Sequence, residues 1–394
     1  MIDKPLLTAV MILLTISLLM SYSLSTYVVL YHNKSTDLYF FARQGAAVFA
    51  GFFSMIVLSK IDPDRWFLLL GSLLFIFFFS LMIAMQFLPV SFVKDVGGAK
   101  RWIDLGAVSI APVEFFKVGF VFFLAWSLSR KFISKAQMRY SEEIRAFFPY
   151  ISVFLLAVVI IAVFQKDLGQ VMVLGGTLLI LFLFAGSSFK LFFTLLLAAF
   201  SGVIGLIFLA PHRMIRIIDW WGTVQDDILA LFPFESIQSL RVETGGEPYQ
   251  LSHSLNAIYN GAWFGQGLGN GQFKLGYLAD VHTDFVLAGI SEELGFFTLV
   301  FVVSSMLFII FRIFKIASKV RNPIYYLFSI GVGSLFALSF ILNSYGISGI
   351  MPIKGIAVPF LSYGGSHILA SCIATGMVLM VSKKVPRDAQ GEII

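Results

Sequence analysis

The stretch SVFLLAVVIIAVFQKDLGQVMVLGGTLLILFLF, residues 152–184, decides the fold class. It contains two apolar runs, each close to the roughly 20 residues that a helix needs to cross a bilayer. Only Gln165, Lys166 and Asp167 separate the runs. The runs do not alternate between apolar and polar residues, as the strands of a membrane β-barrel do. The stretch therefore predicts a tight hairpin of two membrane-spanning helices.

The composition of the whole chain indicates the same class. Of the 394 residues, 58% are hydrophobic and 13% are charged, whereas a soluble domain carries about 25% charged residues. The single cysteine, Cys372, excludes an intrachain disulfide. The net charge of +6 needs no nucleic-acid partner, because basic residues in the loops of a membrane protein account for it.

Ten apolar segments are long enough to be predicted as transmembrane helices. They cover approximately residues 6–30, 38–59, 66–88, 112–129, 147–164, 168–186, 189–210, 284–311, 324–347 and 362–382. The first is too long for the apolar region of a cleaved signal peptide and is predicted to be retained. The sequence therefore predicts an all-α polytopic membrane protein, with residues 1–394 forming a single integral membrane domain.

The distribution of Lys and Arg predicts the orientation in the membrane. Basic residues are concentrated in alternate short loops and near both termini, so both termini are predicted to be cytoplasmic. This assignment includes a short tail at residues 384–394. The opposite face then carries loops around 89–111 and 345–361 and a large loop, 211–283, between helices 7 and 8. The part of this loop from 219 to 248 is polar with interspersed aromatic residues and is predicted to lie on the membrane surface.

The first external loop carries cations beside an aromatic residue. Lys100, Arg101 and Trp102 are consecutive. They could form an interfacial belt with snorkelling cations or bind an anionic headgroup. Glu114 and Lys117 follow in the next helix, three residues apart, so they can form an ion pair. A pair placed that deep is expected to face the protein interior.

The stretch LADVHTDFVLAGISEELGFF, residues 278–297, places several ionisable groups where an apolar helix should begin. Asp284 could cap that helix, since the helix dipole favours a carboxylate there, or it could be a functional group. Glu292 and Glu293 are expected to support helix packing or to pair with cations on neighbouring helices. His282 could make a hydrogen bond in the cap region or carry a proton.

Three further segments complete the external half. Asp167 is predicted to cap the second helix of the hairpin. Glycines clustered between 261 and 271 imply a backbone that approaches something closely, and Lys274 adds a cation. Residues 346–368 contain helix-breaking Pro and Gly and predict a re-entrant turn, with Lys354 and Ser362 facing a cavity. Cations suit a pyrophosphate and one carboxylate suits general-base work, so the pattern favours a site for a lipid-linked phosphate compound.

Six motifs resemble the SEDS family, whose members serve shape, elongation, division and sporulation. They are GGAKRWIDLG, PVEFFK, QKDLG, NGAWFGQGLGNGQFKLGYL, HTDFVLAGISEELG and PIKGIAVPFLSYGGS. They cover most of the chain in order, and PIKG resembles the division members more than the elongation members. Departures from the family pattern are Lys166 in place of Pro, Val113 in place of Ser, and His367 in place of Ser.

The resemblance implies a septal peptidoglycan glycosyltransferase that polymerises lipid II into β-1,4 glycan strands and releases undecaprenyl pyrophosphate. It implies that Asp284 is the essential aspartate and general base. The residues expected to bind substrate are Lys100, Arg101, Trp102, Glu114, Lys117, Lys274, Lys354 and Ser362. No organic cofactor is expected, and a divalent cation, Mg²⁺ or Mn²⁺, is left open.

The resemblance also implies partners and a location. A class B penicillin-binding protein would supply transpeptidase activity, and other membrane proteins of the division machinery would assemble with the chain at the septum of the bacterial inner membrane. The alternatives are a lipid II flippase, a non-catalytic division scaffold, and an elongation member with the same chemistry. The clustering of ionisable groups in the external half favours an enzyme over a flippase, which needs a polar path through both leaflets.

Overall fold

The computed structural model describes residues 2–26, 38–89, 91–95, 98–106, 108–131, 139–230, 241–242 and 249–386. Its helices are α1 (Lys4–Leu24), α2 (Tyr39–Lys60), α3 (Pro63–Phe87), α4 (Pro112–Lys131), α5 (Tyr140–Phe164, of which Val159–Phe164 is π-helical), α6 (Leu168–Phe184), α7 (Phe189–Phe208), α8 (Pro211–Ala230), α9 (Tyr249–Gly261), α10 (Val286–Lys319), α11 (Pro323–Ile347) and α12 (Gly365–Ser382). Three short strands, β1 (Val93–Asp95), β2 (Lys100–Asp104) and β3 (Ser109–Ile110), lie between α3 and α4.

The predicted fold class is confirmed. Each of the ten predicted segments coincides with a helix. In the part of the chain that the structure describes, nine helices are long and apolar enough to cross a membrane, and α6 is a shorter apolar helix. The tight hairpin at residues 165–167 is present between α5 and α6. Pro112 opens α4, as expected from the tolerance of proline in a first turn.

Three helices form the centre of the bundle. In α4, α11 and α12, 83%, 72% and 78% of the apolar window is buried, whereas only 6% of the α7 window is buried. The central helices α4 and α11 pack against each other, α12 packs against α2, and α3 packs against α4. The apolar side chains of α7 therefore face outward, where the bilayer would cover them.

Both ends of the chain lie at one end of this bundle. The Asp3 carboxylate accepts hydrogen bonds from Arg312 Nε (3.1 Å) and Nη2 (2.8 Å) in α10. The Asp3 amide donates to the Ser382 hydroxyl at the end of α12 (3.3 Å). Lys384 pairs with Asp64 at the start of α3. The two termini therefore face the same side of the membrane, which agrees with the predicted orientation.

The opposite end carries the irregular structure. The sheet order is β1-β2-β3, antiparallel throughout, and Ile103 pairs with Val93 on one side and Ile110 on the other. The sequence alone predicts a loop here, because strands of two to five residues are too short to show alternation. In the large loop, α8 and α9 are helical, while residues 231–240 and 243–248, part of the segment predicted to lie on the membrane surface, are outside the described residues.

A break in α10 explains the glycine cluster. Gly295 has φ 79° and interrupts the helix. The loop after α9 supplies the missing backbone partners: Gln266 N donates to Glu292 O and Gly267 N donates to Glu293 O, both at 2.9 Å. A Cβ at Gly265 would lie 2.2 Å from Glu293 O. The glycines therefore let this loop approach the backbone of α10.

Candidate functional site

A cavity of about 430 Å³ opens at the end of the bundle that carries the sheet, α8 and α9. Most of its wall comes from the segments that join helices rather than from the helices themselves. Its charged lining residues are the basic Arg101, Lys166, Arg213, Arg216 and Lys354 and the acidic Asp167, Asp280 and Asp284. Five basic groups against three acidic ones give the cavity an excess of positive charge, which suits an anionic ligand.

Asp284 is held by its backbone and leaves its carboxylate open to the cavity. Its amide donates to Asp280 O (3.0 Å), and its carbonyl accepts from Asn343 Nδ2 (2.7 Å). Among the described residues the Asp284 carboxylate makes no hydrogen bond or ion pair. A Cβ at Gly355 would lie 2.9 Å from Asp284 Oδ2, so the glycine leaves room for that oxygen.

The prediction that Asp284 caps its helix is wrong. α10 begins at Val286, with Phe285 in the capping position and no side-chain cap. The residues before α10 form a turn in which the Thr283 hydroxyl donates to Asp280 O (3.0 Å). The helix dipole is therefore not needed to account for the position of the Asp284 carboxylate.

The surroundings of Asp284 change its acidity. Burial raises the pKa of Asp284 from 3.8 to about 7, and the negative charges of Asp280 and Asp167 add to the increase. Arg101 and Arg216 oppose it. A carboxylate with a pKa near neutrality can accept a proton from a reacting hydroxyl and still be ionised in a large fraction of molecules.

Arg101 joins the sheet to the α5–α6 hairpin. Its Nε donates to Gln165 O (2.7 Å) and its Nη2 donates to Lys166 O (3.2 Å). In the same hairpin, Asp167 caps α6 by accepting from Gln170 N (3.1 Å), as predicted. Burial raises the pKa of Asp167, and the charge of Arg101 opposes this. Arg101 therefore contributes both a cavity wall and a positive charge beside two carboxylates.

Arg213 and Arg216, one turn apart in α8, have different surroundings. Arg213 is buried and donates from Nη1 to Leu206 O (2.7 Å) and from Nη2 to Ala162 O (2.6 Å) in the π-helical end of α5. Arg216 is exposed in the cavity and has no hydrogen bond or ion pair within the described ranges. Lys354 likewise has none there. Burial lowers the pKa of Lys354, and the nearby charges of Arg216 and Arg213 lower it further.

Three of the predicted site residues line the cavity, namely Asp284, Arg101 and Lys354. Lys100 and Ser362 do not. The Lys100 ammonium donates to Gln86 O (3.1 Å) and Leu88 O (3.0 Å) at the end of α3. The Ser362 hydroxyl donates to Thr283 O (2.6 Å) and accepts from Val358 N (2.7 Å). The expectation that Ser362 faces the cavity is wrong, because backbone groups occupy its hydroxyl.

Trp102 also lies outside the cavity lining. It is half-buried in β2 and pairs with Lys94 of β1. A role of Trp102 in binding substrate stays a prediction.

The predicted pair of Glu114 and Lys117 is confirmed, with 2.9 Å between Oε2 and Nζ. The same oxygen lies 2.8 Å from His367 Nδ1, and Oε1 accepts from Gln170 Nε2 at 3.2 Å. The cluster is buried between α4, α6 and α12 and does not line the cavity. Its fixed partners indicate a role in joining helices, and binding of substrate by Glu114 and Lys117 stays a prediction.

Lys274 is also placed elsewhere, in a second buried network. Its ammonium lies 2.6 Å from Glu293 Oε1 and 3.1 Å from the Ser23 hydroxyl of α1. Glu292 Oε1 accepts from the backbone amides of Gln272 (2.6 Å) and Phe273 (3.2 Å). The prediction that these two glutamates support packing is confirmed, and Lys274 is the cation that pairs with Glu293.

His282 lies beside the cavity but not in its wall. Its ring is in edge contact with Phe40, with 5.3 Å between ring centroids, and 5.4 Å from the ring of Tyr363. Burial lowers the pKa of His282, so the neutral imidazole is favoured near pH 7. This aromatic packing favours a structural role over proton transfer.

No set of three or more His, Cys, Asp or Glu side chains in the described segments is placed to hold a metal ion. The residues present therefore do not fit a metal held by the protein alone, and the divalent cation left open by the sequence stays untested.

Sequence reasoning missed Arg213, Arg216 and Asp280 as cavity residues. Arg213 and Arg216 occur in PHRMIR at the start of the large loop. Two arginines three residues apart share one face of a helix, and that spacing was the available signal. Asp280 gave no comparable signal, because its place in the wall depends on the irregular turn before α10.

Comparison with known protein families identifies one match. The family model described as "Cell cycle protein", which covers FtsW, RodA and SpoVE, matches residues 4–386. The probable peptidoglycan glycosyltransferase FtsW of Helicobacter pylori strain 26695 is 46% identical over 385 residues, which are 97% of this chain and 98% of that protein. The stage V sporulation protein E of Bacillus subtilis is 33% identical over 97% of this chain and 97% of that protein.

Solved structures share the fold. The rod shape determining protein RodA of Thermus thermophilus matches with a TM-score of 0.64 and 19% identity, covering 98% of each chain. A chain from a structure described as "Structural coordination of polymerization and crosslinking by a peptidoglycan synthase complex" matches with a TM-score of 0.69 and 20% identity, covering 97% of this chain and 98% of that one.

Proposed function

This chain belongs to the SEDS family of cell cycle proteins that includes FtsW, RodA and SpoVE, and we propose from that premise that it is a peptidoglycan glycosyltransferase of the division type. The relatives named for this activity match almost its full length. The substrate that we propose is lipid II, the undecaprenyl-pyrophosphate-linked disaccharide peptide. The observation that carries the proposal is the Asp284 carboxylate, which is unpaired within the described residues and lies in a positively charged cavity.

The proposed reaction is a single displacement. Asp284 accepts the proton of the 4-hydroxyl of the acceptor sugar, and that oxygen forms a bond to C1 of the donor sugar. The bond between C1 and the phosphate oxygen breaks, and undecaprenyl pyrophosphate leaves with the bonding electrons. Attack from the face opposite the leaving group converts an α-linked donor into a β-1,4 linkage.

The cavity has the two properties that this displacement needs. Negative charge that develops on the leaving group is stabilised by preorganised cations, and the wall supplies Arg101, Arg216 and Lys354. A proton acceptor must also have a pKa near the working pH, and the pKa of Asp284 is raised to about 7. The raised pKa follows from burial and from Asp280 and Asp167, so the chain itself tunes the base.

The position of the cavity agrees with work on the outer side of the membrane. It lies at the end of the bundle opposite Asp3, Arg312 and Ser382, where both chain termini meet. The bias of Lys and Arg makes the terminal end cytoplasmic. The cavity then opens toward the outer leaflet, where an extracytoplasmic wall precursor would be consumed.

The polymerase reading is favoured over a flippase or a scaffold. A flippase needs polar groups along a path through both leaflets, whereas the charged cavity residues gather at one end of the bundle. A scaffold has no need of a base with a tuned pKa beside unpaired cations. We also propose a class B penicillin-binding protein as partner and a septal location. A structural relative belongs to a peptidoglycan synthase complex, and this supports the partner.

The test is polymerisation of labelled lipid II by the purified chain together with its cognate penicillin-binding protein. We expect long glycan products from wild type and none from Asp284→Asn. Asp226→Asn is the matched control, because Asp226 is exposed and pairs with Arg241 outside the cavity wall. Polymerisation by Asp284→Asn at the wild-type rate would remove Asp284 from the mechanism. Failure of wild type under these conditions would reject the polymerase.

A further inference from the structure

We propose that Arg216 and Lys354 together form the subsite for the leaving diphosphate of the donor, a division of labour among the cavity cations that rests on the proposed function. Arg216 is a substrate-binding residue that the sequence motifs did not indicate. In this arrangement Arg101 and Arg213 build the wall, while Arg216 and Lys354 contact the ligand.

The first argument is that four other cations in the half of the bundle that carries the cavity already have hydrogen-bond or ion-pair partners. Arg101 and Arg213 donate to backbone carbonyls. Lys117 pairs with Glu114 and Lys274 pairs with Glu293. By contrast, neither Arg216 nor Lys354 has a hydrogen bond or an ion pair in the segments that the structure describes, although both line the cavity.

The second argument is electrostatic. Lys354 is partly buried and Arg216 lies close enough for its positive charge to act on it, so burial and Arg216 both lower the pKa of Lys354. Neither cation has a carboxylate within ion-pair distance in the described residues, and the attraction between Arg216 and Asp284 acts over a longer range. An anion between the two cations would relieve their mutual repulsion. A diphosphate supplies that anion, and each cation can contact one phosphate group through charge-assisted hydrogen bonds.

The third argument is that the spacing of the pair is fixed by contacts on both sides. Arg213 anchors the start of α8 to the carbonyls of Leu206 and Ala162. Further along α8, Trp220 Nε1 donates to Gly349 O (2.7 Å) in the segment that leads to Lys354. α8 and the Lys354 segment are therefore held together before any ligand binds, which is the preorganisation that a binding site needs.

The position of Asp284 assigns the subsite to the donor. Gly355, the residue after Lys354, lies against Asp284, because a Cβ there would be 2.9 Å from Oδ2. A diphosphate held by Lys354 therefore places the carbon that bears it near the base. The reacting 4-hydroxyl of an acceptor is a sugar residue or more away from the acceptor's own diphosphate, so that group cannot occupy the same position.

The experiment measures binding of undecaprenyl diphosphate, undecaprenyl monophosphate and inorganic diphosphate to the full chain in nanodiscs of neutral lipid. We expect Arg216→Gln and Lys354→Gln each to weaken the binding of undecaprenyl diphosphate about tenfold or more, the usual effect of losing a charged hydrogen bond. The affinity for undecaprenyl monophosphate should decrease less, because one phosphate group can contact only one of the two cations. Arg216→Lys should recover part of the loss.

Matched controls separate local from general effects of charge. Arg241→Gln and Lys94→Gln each remove one exposed cation from an ion pair outside the cavity wall, and both should bind the diphosphate like wild type. Competition by inorganic diphosphate would identify the headgroup as the ligand. Competition by phosphatidylglycerol at equal strength would show a general anionic-lipid site and overturn the proposal.

The outcome is distinguishable from failure of the proposed function. Asp284→Asn should bind undecaprenyl diphosphate at least as tightly as wild type, because it removes a carboxylate next to the subsite, although it cannot polymerise. If wild type polymerises lipid II but Arg216→Gln and Lys354→Gln bind the diphosphate normally, the subsite is rejected and the polymerase stands. If wild type does not polymerise, the proposed function is rejected regardless of binding.

Discussion

Two pairs of carboxylates within residues 278–297 have opposite surroundings. Glu292 and Glu293 are completely buried. Backbone amides satisfy one oxygen of Glu292, and Lys274 and Ser23 satisfy Glu293. Asp280 and Asp284, 8 to 13 residues earlier in the chain, line an open cavity without a cation bound to either carboxylate in the described part of the structure.

This difference distinguishes structural ionisable groups from functional ones inside a membrane protein. Burying a charge is expensive unless it is paired and hydrogen-bonded. Glu293 meets that condition through Lys274, and one oxygen of Glu292 accepts hydrogen bonds from backbone amides of the irregular loop that packs on α10. The aspartates do not meet it, so their charge is available to a substrate. The same contrast separates Lys274 from Lys354 and Arg213 from Arg216.

The largest expected effect comes from substituting Asp284, one of the two aspartates that line the cavity. Asp284→Asn should reduce polymerisation by about 10²–10⁴-fold, the usual contribution of a general base. Its thermal unfolding temperature should stay equal or rise, because a carboxylate with a raised pKa is removed. Parallel assays of polymerisation and thermal unfolding test this, and a drop in both would place Asp284 with the structural carboxylates.

Substituting a buried glutamate should affect the stability of the fold instead of the reaction. Glu293→Gln leaves the Lys274 ammonium buried without a counter-charge, and we expect a loss of about 3–5 kcal/mol in the free energy of unfolding. The double variant Glu293→Gln with Lys274→Met should recover much of that loss, because it removes both charges. Equilibrium unfolding of both variants in detergent measures the loss and its recovery. A stable but inactive Glu293→Gln would instead assign the pair to the reaction.

A smaller loss of stability is expected from glycine substitutions in the loop after α9, which donates hydrogen bonds to Glu292 and Glu293. Gly265→Ala should destabilise the fold, because Gly265 has φ +81° and its new Cβ would meet Glu293 O at 2.2 Å. Gly269→Ala is the matched control, since Gly269 has φ +87° with nothing within 4 Å. The control should show only the backbone cost, about 1–2 kcal/mol. Equal losses of unfolding free energy would show that close approach to α10 contributes nothing.

The smallest effect is a shift along the pH axis. The reaction requires ionised Asp284, so the rate should rise with pH through about 7. Asp280→Asn should move this midpoint to lower pH, because it removes a neighbouring negative charge that raises the pKa of Asp284. Initial rates of polymerisation between pH 5 and 9 measure the midpoint. An unchanged midpoint would show that the charge of Asp280 does not reach Asp284.

The free energy of unfolding should also depend on the protonation of Asp284, but it should fall as the pH rises, whereas the rate should increase. The pKa of Asp284 is raised in the folded state, so between 3.8 and about 7 the folded chain holds more protons than the unfolded chain. The free energy of unfolding therefore decreases as pH rises through that window. Asp284→Asn should remove this part of the pH dependence.

The sequence predicted the helices well because their signal is local. Each apolar segment must satisfy its own backbone within the bilayer, so length and hydropathy located α1 and α12 without any tertiary information. The end of α10 was placed at 311 rather than Lys319, because Arg312 and Lys315 read as loop residues. The burial of Arg312 depends on Asp3, more than 300 positions away in the chain.

The site was predicted only in part for the same reason. Asp284, Arg101 and Lys354 carry motifs that identify them, and they do line the cavity. Lys274 and Ser362 looked equivalent in sequence, yet their partners, Glu293 and Thr283, come from the irregular packing around the start of α10. Sequence spacing cannot show which polar groups find a partner in the fold, and that is the property that separates them.

The contacts between the two ends of the chain also constrain the order in which it can be assembled during synthesis. α2 packs most extensively against α12, and Asp3 depends on Arg312 and Ser382. The first helices therefore enter the membrane long before the residues that cover them are translated. The Asp3 carboxylate lacks its buried counter-ion until Arg312 of α10 is in place, and α2 lacks its main neighbour until α12 arrives. A ribosome that stops before residue 365 would release a chain with every cavity residue present and α2 without its principal packing partner.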